Sequence, residues 1–353
     1  MAQAPEHPLL SLPDDQIIQK LREMSLDEIL KYSLISEECK ERVKSIQIKG
    51  TSIYVFIDEG IKFFITTGSI KLRLDYYTRP EDMFWGWGAY GRKKKLLTPR
   101  TVEVNVFDND DQVSGPVFLH SEFALKDWLK HLLDIFNYNG IDSMRFFEGS
   151  SNFDIDDIRE VFGNKSKFYI EFLNSDAYKQ LILEKFFPIE KISIMTSTFQ
   201  DSKLPANILI QNFEYLRIRG LFHEKVLKLD ELLMINSKVI EINIIQVLSK
   251  DFNKFIKLWQ QGSNPHMERL SISHPSIEED NVDWTIMKGI KHDVVPANRI
   301  RKFKSAESKN PRLVHGGMDI YRNDGVKATI QIETKAFWNV WYMYVWFDHC
   351  VVE

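Results

Sequence analysis

Six short triplets decide the fold of this chain: Met-Arg-Phe at 144–146, Phe-Tyr-Ile at 168–170, Ile-Ser-Ile at 192–194, Leu-Arg-Ile at 216–218, Ile-Glu-Ile at 240–242 and Leu-Ser-Ile at 270–272. The first five begin 24 residues apart, at positions 144, 168, 192, 216 and 240, and the sixth begins 30 residues later, at position 270. Apolar residues at alternate positions are typical of a strand, and a period of this length is typical of a solenoid. The sequence therefore predicts a parallel sheet to which each repeat adds one strand.

The intervals between the triplets have the apolar spacing of helices, which completes a strand, turn, helix, turn repeat. We expect helices at 155–162, 177–186, 229–235 and 252–259, and a short turn near 204–209. The strict leucine-rich spelling is absent, so the region is leucine-rich-repeat-like in architecture alone. Asn164, Asn212 and Asn236 each stand four residues before a triplet, and we expect each to end a helix in a left-handed conformation.

The segments on either side of the repeats have other periods. Residues 8–48 have the apolar spacing of three short helices. In residues 49–120, apolar and polar residues alternate with a period of two, which predicts a β-rich connecting segment. This segment either belongs to the solenoid or caps it. The repeat region is placed at 121–300, and 301–353 is predicted to be an antiparallel β cap with a hairpin turn at 323–325. The predicted fold class is α/β, α+β overall: a flexible tail at 1–7, a helical unit, a β/α solenoid and a carboxy-terminal β cap.

The composition is that of a folded globular protein. Of 353 residues, 44% are hydrophobic, 27% charged and 12% aromatic, which excludes a disordered, collagenous or coiled-coil chain. A net charge of −4 excludes a protein that coats a polyanion with its whole surface. The apolar stretch 337–347 is too short to span a membrane and is predicted to be a buried strand. Cys39 and Cys350 have no cysteine or histidine at a metal-binding spacing, which favours a reducing compartment, cytoplasmic or nuclear.

A glycine motif and a basic run are the first candidates for chemistry. Gly86, Gly88 and Gly91 spell G-x-G-x-x-G, but the basic run 92–95 follows instead of a helix, so we expect no dinucleotide site. The basic run and the aromatic residues within 85–90 could serve as a nuclear signal or contact nucleic acid, although a solvated loop is the simpler interpretation.

Acidic and histidine clusters give no site either. His266 and His274 have no third ligand at a fixed spacing. Asp154, Asp156 and Asp157 lack the glycine and the terminal glutamate of a calcium loop, and are predicted to begin a helix. No nucleophile, base and acid stand in a recognisable arrangement. We therefore predict no catalytic residue, no cofactor and no metal site.

Both ends and the middle of the chain resemble a known family. The opening LPDDQII at 12–18 and the close LISEECK at 34–40 are similar to the F-box, a helical module that docks on the Skp-type adaptor of cullin ubiquitin ligases. The stretches LDELL at 229–233, NKFIKLWQQGSNPHMERLSI at 253–272 and DIYRNDGVKATI at 319–330 resemble nematode F-box proteins that carry a type 2 F-box-associated domain, here placed at about 204–275.

The resemblance implies an F-box over residues 8–48 whose motif positions build or line the adaptor-facing surface. These adaptor-binding residues are Leu12, Pro13, Ile17, Ile18, Leu21, Leu26, Leu30, Leu34 and Ser36. A three-helix unit cannot bury so many apolar side chains internally, which favours an interface. F-boxes commonly carry a basic residue directly after the serine, whereas Glu37 and Glu38 stand here, and this departure puts the adaptor affinity in doubt rather than the fold.

The resemblance further implies a non-catalytic substrate-recognition subunit of an SCF-type cullin ubiquitin ligase, with a Skp-type adaptor, the cullin core and a protein target as partners. In a leucine-rich-repeat-like sheet, the middle residue of each triplet and residues just after it face the strand-lined surface. The predicted target-binding residues are Arg145, Phe147, Tyr169, Glu171, Ser193, Met195, Arg217, Arg219, Glu241, Asn243 and Ser271. Their mixed charge and aromatic rings favour a protein over nucleic acid. The alternative is a repeat scaffold that binds a protein and never joins a ligase.

Overall fold

A computed structural model describes most of the chain, in two compact units. The described residues are 8–77, 96, 98–119, 122–163, 167–171, 173, 175–196, 205–220, 227–243, 247–275, 282–308, 310–335 and 338–352. The first unit comprises Met1–Lys165 and Gln180–Phe187, and the second comprises Ser166–Lys179 and Pro188–Glu353. The predicted tail at 1–7, the glycine motif and the basic run all lie outside the described residues.

The described residues form ten helices and sixteen strands, which confirms a mixed α/β fold. The helices are α1 Asp14–Glu23, α2 Leu26–Ser33, α3 Glu37–Ser45, α4 Leu125–Ile135, α5 Ile155–Phe162, α6 Asp176–Lys185, α7 Ala206–Leu209, α8 Leu229–Met234, α9 Ser249–Gln260 and α10 Val282–Met287. The strands of the first unit are β1 Ser52–Ile57, β2 Ile61–Thr67, β3 Ile70–Tyr77, β4 Thr101–Asp108, β5 Asp111–Leu119 and β6 Ser143–Phe146. Those of the second are β7 Lys167–Ile170, β8 Lys191–Met195, β9 Tyr215–Arg219, β10 Val239–Asn243, β11 Arg269–Pro275, β12 Asp293–Phe303, β13 Arg312–Tyr321, β14 Lys327–Lys335, β15 Trp338–Val345 and β16 Val351–Val352.

Local sequence sets the ends of the three amino-terminal helices. Pro13 immediately precedes α1, where its missing N–H costs no hydrogen bond. Before α2, the Ser25 backbone N–H donates to the Glu28 carboxylate at 2.9 Å. Before α3, the Ser36 hydroxyl oxygen accepts from the Cys39 N–H at 3.1 Å. Helices α2 and α3 therefore each begin directly after a serine that bonds to the first turn, and α1 begins directly after a proline.

The β-rich segment and the first triplet strand form one sheet in the first unit, in the order β6-β1-β2-β3-β4-β5. Strands β1 to β5 pair antiparallel in sequence, whereas β1 pairs parallel with β6, with Val55 opposite Met144. Alternate residues such as Ile53 and Val55 are fully buried, and the residues between them lie on the other face. The period-two pattern thus predicts both the strands and their buried face.

The triplets of the second unit pair in parallel and in register. Phe168 lies opposite Ile192, and Leu216 lies opposite both Ile192 and Ile240. The longer last interval does not shift the register, because Ile240 lies opposite Leu270. The apolar positions of β7 to β11 therefore share one face of the sheet, and the middle residues share the other.

The carboxy-terminal strands are antiparallel, as expected. Strand β15 pairs with β11, followed by β14, β13 and β12, and β16 pairs with the end of β12. The predicted hairpin lies between β13 and β14, where Gly325 has φ +91°, a conformation that favours glycine. The antiparallel region begins at Asp293, before the predicted cap at 301–353.

The left-handed conformation expected at three asparagines is wrong for two of them, and Asn164 lies outside the described residues. Asn212 and Asn236 lack positive φ angles, since Ile210 ends α7 in a right-handed conformation and Ile235 ends α8 in an extended one. The two asparagines instead bond to each other, with the Asn236 amide donating to the Asn212 carbonyl oxygen. Asn264 has φ +47° and donates to the Ile235 carbonyl at 2.6 Å.

A buried histidine connects α4 to the amino-terminal helices. His131 Nε2 lies 2.8 Å from the Ser33 hydroxyl oxygen, and that hydroxyl donates to the Leu30 carbonyl at 2.7 Å. Because the hydroxyl has a single proton, the Nε2–H of His131 donates to Ser33. Burial, and then the nearby Lys40, lower the pKa of His131 to about 4. Burial therefore favours the neutral imidazole, with its proton on Nε2.

Acid should destabilise the first unit through His131. The folded-state pKa of about 4 lies below the ordinary value of 6.5, so the unfolded chain binds a proton that the folded chain does not. The free energy of unfolding should therefore fall between these two pH values, by on the order of 3 kcal/mol. In His131→Gln, the amide can still donate to Ser33 but does not titrate, so this pH-dependent loss of stability should disappear. Urea unfolding at several pH values measures it. An unchanged pH profile in that variant would contradict the assignment.

Candidate functional site

The predicted adaptor-binding residues divide into two groups by burial. Four build the interior of the helical lobe formed by α1 to α3: Ile17, Leu21, Leu26 and Leu30. Five are partly or fully accessible: Leu12, Pro13, Ile18, Leu34 and Ser36. Since a buried side chain cannot contact a partner in the folded lobe, the accessible group defines the candidate adaptor surface.

Two accessible apolar residues belong beside this group, and helical periodicity did not select them. Leu10 lies on the 3-10 turn Pro8–Ser11 with 38% of its surface exposed, and Ile35 lies between α2 and α3 with 44% exposed. Helical spacing gives no signal for Ile35, because it follows Ser33, the last helical residue of α2, and Leu34. We name the set Leu10, Leu12, Pro13, Ile18, Leu34 and Ile35 the apolar lobe surface.

Glu37 and Glu38, the departure from the F-box pattern, lie exposed in the first turn of α3. A carboxylate oxygen of Glu38 lies 2.7 Å from a guanidinium nitrogen of Arg42, and a Glu37 oxygen lies 3.7 Å from Lys40 Nζ. The lobe therefore supplies basic partners for both. Exposed ion pairs of this kind contribute little to stability.

The strand-lined face of the second unit brings together most of the predicted target-binding residues. Parallel register places Tyr169, Ser193, Arg217, Glu241 and Ser271 in one row across β7 to β11. A second row places Met195, Arg219 and Asn243 on neighbouring strands. The expected common face is therefore present in this unit.

A buried ionic network centred on Glu241 occupies part of this face. Arg217 donates to Glu241 Oε2 through two guanidinium nitrogens, at 2.9 and 2.7 Å, and the Tyr215 hydroxyl donates to the same oxygen at 2.8 Å. Arg269, only 1% exposed, donates to Glu241 Oε1 at 2.5 Å and to the Glu307 carboxylate at 2.6 Å. Both oxygens of Glu241 are therefore engaged within the protein.

The network keeps the Glu241 carboxylate charged. Burial by itself favours the neutral acid, but Arg269 and Arg217, together with the Tyr215 hydroxyl, outweigh it and lower the pKa of Glu241 to about 2. Burial and the Glu241 charge raise the pKa of Tyr215, which stays a hydrogen-bond donor. Glu241 thus stabilises the sheet and has no free oxygen for a ligand.

The predicted residues on this face differ in accessibility. Five are buried: Glu171, Ser193, Met195, Glu241 and Ser271. Four are partly exposed: Tyr169, Arg217, Arg219 and Asn243. A guanidinium nitrogen of Arg219 lies 3.8 Å from the Glu171 carboxylate, a looser pair than that of Arg217 with Glu241. Arg219, Tyr169 and Asn243 are therefore the residues on this face that can contact a partner at least cost.

The remaining two predicted residues, Arg145 and Phe147, lie in the first unit. Arg145 is opposite Phe56 in the sheet, and its guanidinium carbon lies 5.0 Å from the Phe56 ring centre and 5.6 Å from that of Tyr54. The Phe147 ring centre is 5.5 Å from that of Phe56. Arginine over aromatic rings gives this face a mixed cationic and apolar character.

The minor motifs have structural places. Asp154 accepts from the Asp156 N–H at 2.9 Å and begins α5, as expected. His266 is exposed, and the side chain of His274 lies outside the described residues. In the part of the chain that the structure describes, no helix is long and apolar enough to cross a membrane.

Comparison with known proteins locates one domain. The sequence model of a family described as F-box associated matches residues 205–272, which confirms the F-box-associated domain expected at about 204–275. The matched segment contains α7 to α9 and β9 to β10, and reaches the middle of β11. No curated protein and no solved structure gives a significant match.

Removing the Glu241 charge should destabilise the second unit. Glu241→Gln leaves the buried Arg269 with one carboxylate instead of two, and breaking a buried pair costs about 3 kcal/mol or more in free energy of unfolding. The matched control is Glu214→Gln, which removes an exposed pair 3.1 Å from Lys238 and should cost less than about 1 kcal/mol. Urea unfolding of both variants tests this difference. Equal losses of unfolding free energy in the two variants would show that burial of Glu241 does not make its ion pairs more costly to break.

Proposed function

We propose that this chain is the substrate-recognition subunit of an SCF-type cullin ubiquitin ligase. The helical lobe at 8–48 would be the F-box that docks on a Skp-type adaptor, and the leucine-rich-repeat-like sheet would hold a protein target. The observation that carries this proposal is the F-box-associated match at 205–272 in a chain whose amino-terminal lobe also exposes apolar side chains. A domain named for its association with F-boxes is expected to accompany one.

The proposed subunit acts through proximity and has no catalytic residue of its own. One end is fixed to the ligase and the other to the target, so that target lysines meet the charged conjugating enzyme at high effective concentration. Cytoplasm and nucleus are the compartments in which such a ligase would act.

Docking on the adaptor would use the apolar lobe surface. Its residues lie on the 3-10 turn, between that turn and α1, on α1, and between α2 and α3. Ile17, Leu21 and Leu30 of the same helices are fully buried. Exposed apolar side chains above a packed interior are the usual anchors of a protein interface. Glu37 and Glu38 lie beside this surface and would favour an adaptor region with basic residues.

Target capture would use the accessible part of the strand-lined face. Glu241, Arg269 and Tyr215 hold this face rigid, because their polar atoms already bond to one another. Tyr169, Arg219 and Asn243 remain partly exposed. Arg and Tyr are enriched among the residues that contribute most to protein interfaces, which supports a protein target.

Leu12→Asp with Ile35→Asp should abolish adaptor binding and leave the fold intact. Both residues are accessible, so the charges disturb the docking surface and spare the interior, whereas a charge at the fully buried Leu30 would unfold the lobe. The measurement is a pull-down of purified chain with a Skp-type adaptor, with circular dichroism to verify folding. The matched control is Val294→Asp, which charges an apolar residue that is 76% exposed in the second unit.

The same pull-down separates the ligase subunit from the scaffold alternative. If the folded parent chain does not bind the adaptor, the proposed ligase membership is wrong and a free-standing repeat scaffold is favoured. Reversing Glu37 and Glu38 to lysine then tests whether their charge is the cause. If the parent binds the adaptor and the Leu12→Asp, Ile35→Asp variant binds it equally well, the docking surface lies elsewhere on the chain.

Tyr169→Ala with Arg219→Ala should weaken target capture and lower the free energy of unfolding less than Glu241→Gln does, because Arg219 and Glu171 form a looser pair, at 3.8 Å. Neither residue carries the Glu241 network, so the sheet should remain folded. Affinity purification with quantitative mass spectrometry compares proteins retained by the parent, by this variant and by Lys254→Ala, which alters an exposed lysine on α9. If the double variant retains the same proteins as the parent and the control, the strand-lined face is not the target site.

A further inference from the structure

A carboxylate, an imidazole and a thiol meet in the second unit. Glu268 immediately precedes β11, while His349 and Cys350 lie on the 3-10 turn Asp348–Cys350. One donor atom from each residue lies within 4.8 Å of the other two. Glu268 Oε1 is already 3.1 Å from His349 Nε2.

Backbone hydrogen bonds hold the segments that carry these groups. The Val345 N–H donates to the Glu268 carbonyl at 2.8 Å, which fixes the end of β15 beside the start of β11. The Lys304 N–H donates to the Cys350 carbonyl at 2.9 Å, and the Cys350 N–H donates to the Phe347 carbonyl at 2.8 Å. The three groups therefore come together on fixed backbone.

Neighbouring groups also orient the donors. The Ala306 N–H donates to Glu268 Oε2 at 2.9 Å, which leaves Oε1 directed at His349. The Phe347 ring stacks on the His349 ring, with centres 5.6 Å apart and planes 5° apart. Support of this kind around the ligands is a regular feature of metal sites in proteins.

We propose that Glu268, His349 and Cys350 bind a zinc ion that ties the carboxy-terminal turn to the start of β11. Thiolate, imidazole and carboxylate are the three protein ligand types that zinc takes, whereas calcium and magnesium prefer oxygen alone. Glu268 and Cys350 are buried, and the His349 side chain is 67% exposed, which gives the ion a path from solvent. Three protein ligands leave the fourth tetrahedral position to water.

Binding requires a small closure and the loss of one proton. Donors around a tetrahedral zinc lie about 3.5 Å apart, so a donor pair near the 4.8 Å limit must close by about 1 Å. The His349 nitrogen and the Glu268 oxygen, 3.1 Å apart, already lie within that separation, and the exposed His349 side chain can adjust. The Cys350 thiol gives its proton to solvent as the sulfur–zinc bond forms, and no electron is transferred. The hydrogen bond between Glu268 and His349 is replaced by bonds to the metal.

The test is metal titration of the purified full chain after treatment with a chelator. Zinc is titrated in competition with a chromophoric chelator, and cobalt(II) is titrated separately because its charge-transfer absorption reports a bound thiolate. We expect about one zinc per chain, a rise in the thermal unfolding midpoint and a thiolate–cobalt band. His349→Gln and Cys350→Ala should each weaken zinc binding about ten-fold or more, and Cys350→Ala should also remove the band.

Matched variants keep the test decisive. Cys39→Ala removes the other buried cysteine, and His266→Gln removes another exposed histidine, so both should bind zinc as the parent does. His349→Gln alters an exposed side chain and should fold even if Cys350→Ala is unstable. No stoichiometric zinc in the parent, or equal binding by His349→Gln and His266→Gln, would overturn the site and leave Glu268 and His349 as a simple polar pair.

Discussion

The parallel register of β7 to β11 is the constraint on which the second unit depends. It places the apolar ends of successive triplets opposite one another, so Phe168, Ile192 and Leu216 share one buried face. A shift of one residue would turn every apolar side chain to the wrong face. The sixth triplet keeps the register although its interval is six residues longer, since α9 has 12 residues where α8 has 6. The difference in repeat length is therefore taken up by the connections between strands.

Charges on the opposite face follow from the same register. It brings Arg217, Glu241 and Arg269 onto neighbouring strands, where each cation bonds to the carboxylate between them. Removing these groups from water is costly, and only their close pairing offsets that cost. The network fixes the strand-lined face and leaves Tyr169 and Arg219 at its accessible part. A face of this kind can present side chains to a target without rearranging.

The amino-terminal lobe has a packed interior and also exposes apolar side chains. Its helix starts are set by local contacts such as that between Ser25 and Glu28. Its interior is completed by α4 through the bond between Ser33 and His131, so the lobe packs on α4 as well as on itself. Apolar side chains left over at Leu10 and Ile35 then remain available for a partner. The F-box-associated match makes an adaptor the partner to test first.

The sequence by itself determined the strands, most of the helices and the face that each strand buries, because alternation and helical spacing depend on near neighbours along the chain. It also located the F-box-associated segment. Tertiary structure decided which motif residues are accessible, since burial of Leu30 or Glu241 depends on elements far away in sequence. The predicted left-handed conformation of Asn212 and Asn236 is wrong for the same reason, because the two side chains bond to each other across one repeat. Glu268 meets His349 across 81 residues, a contact that no local spacing encodes.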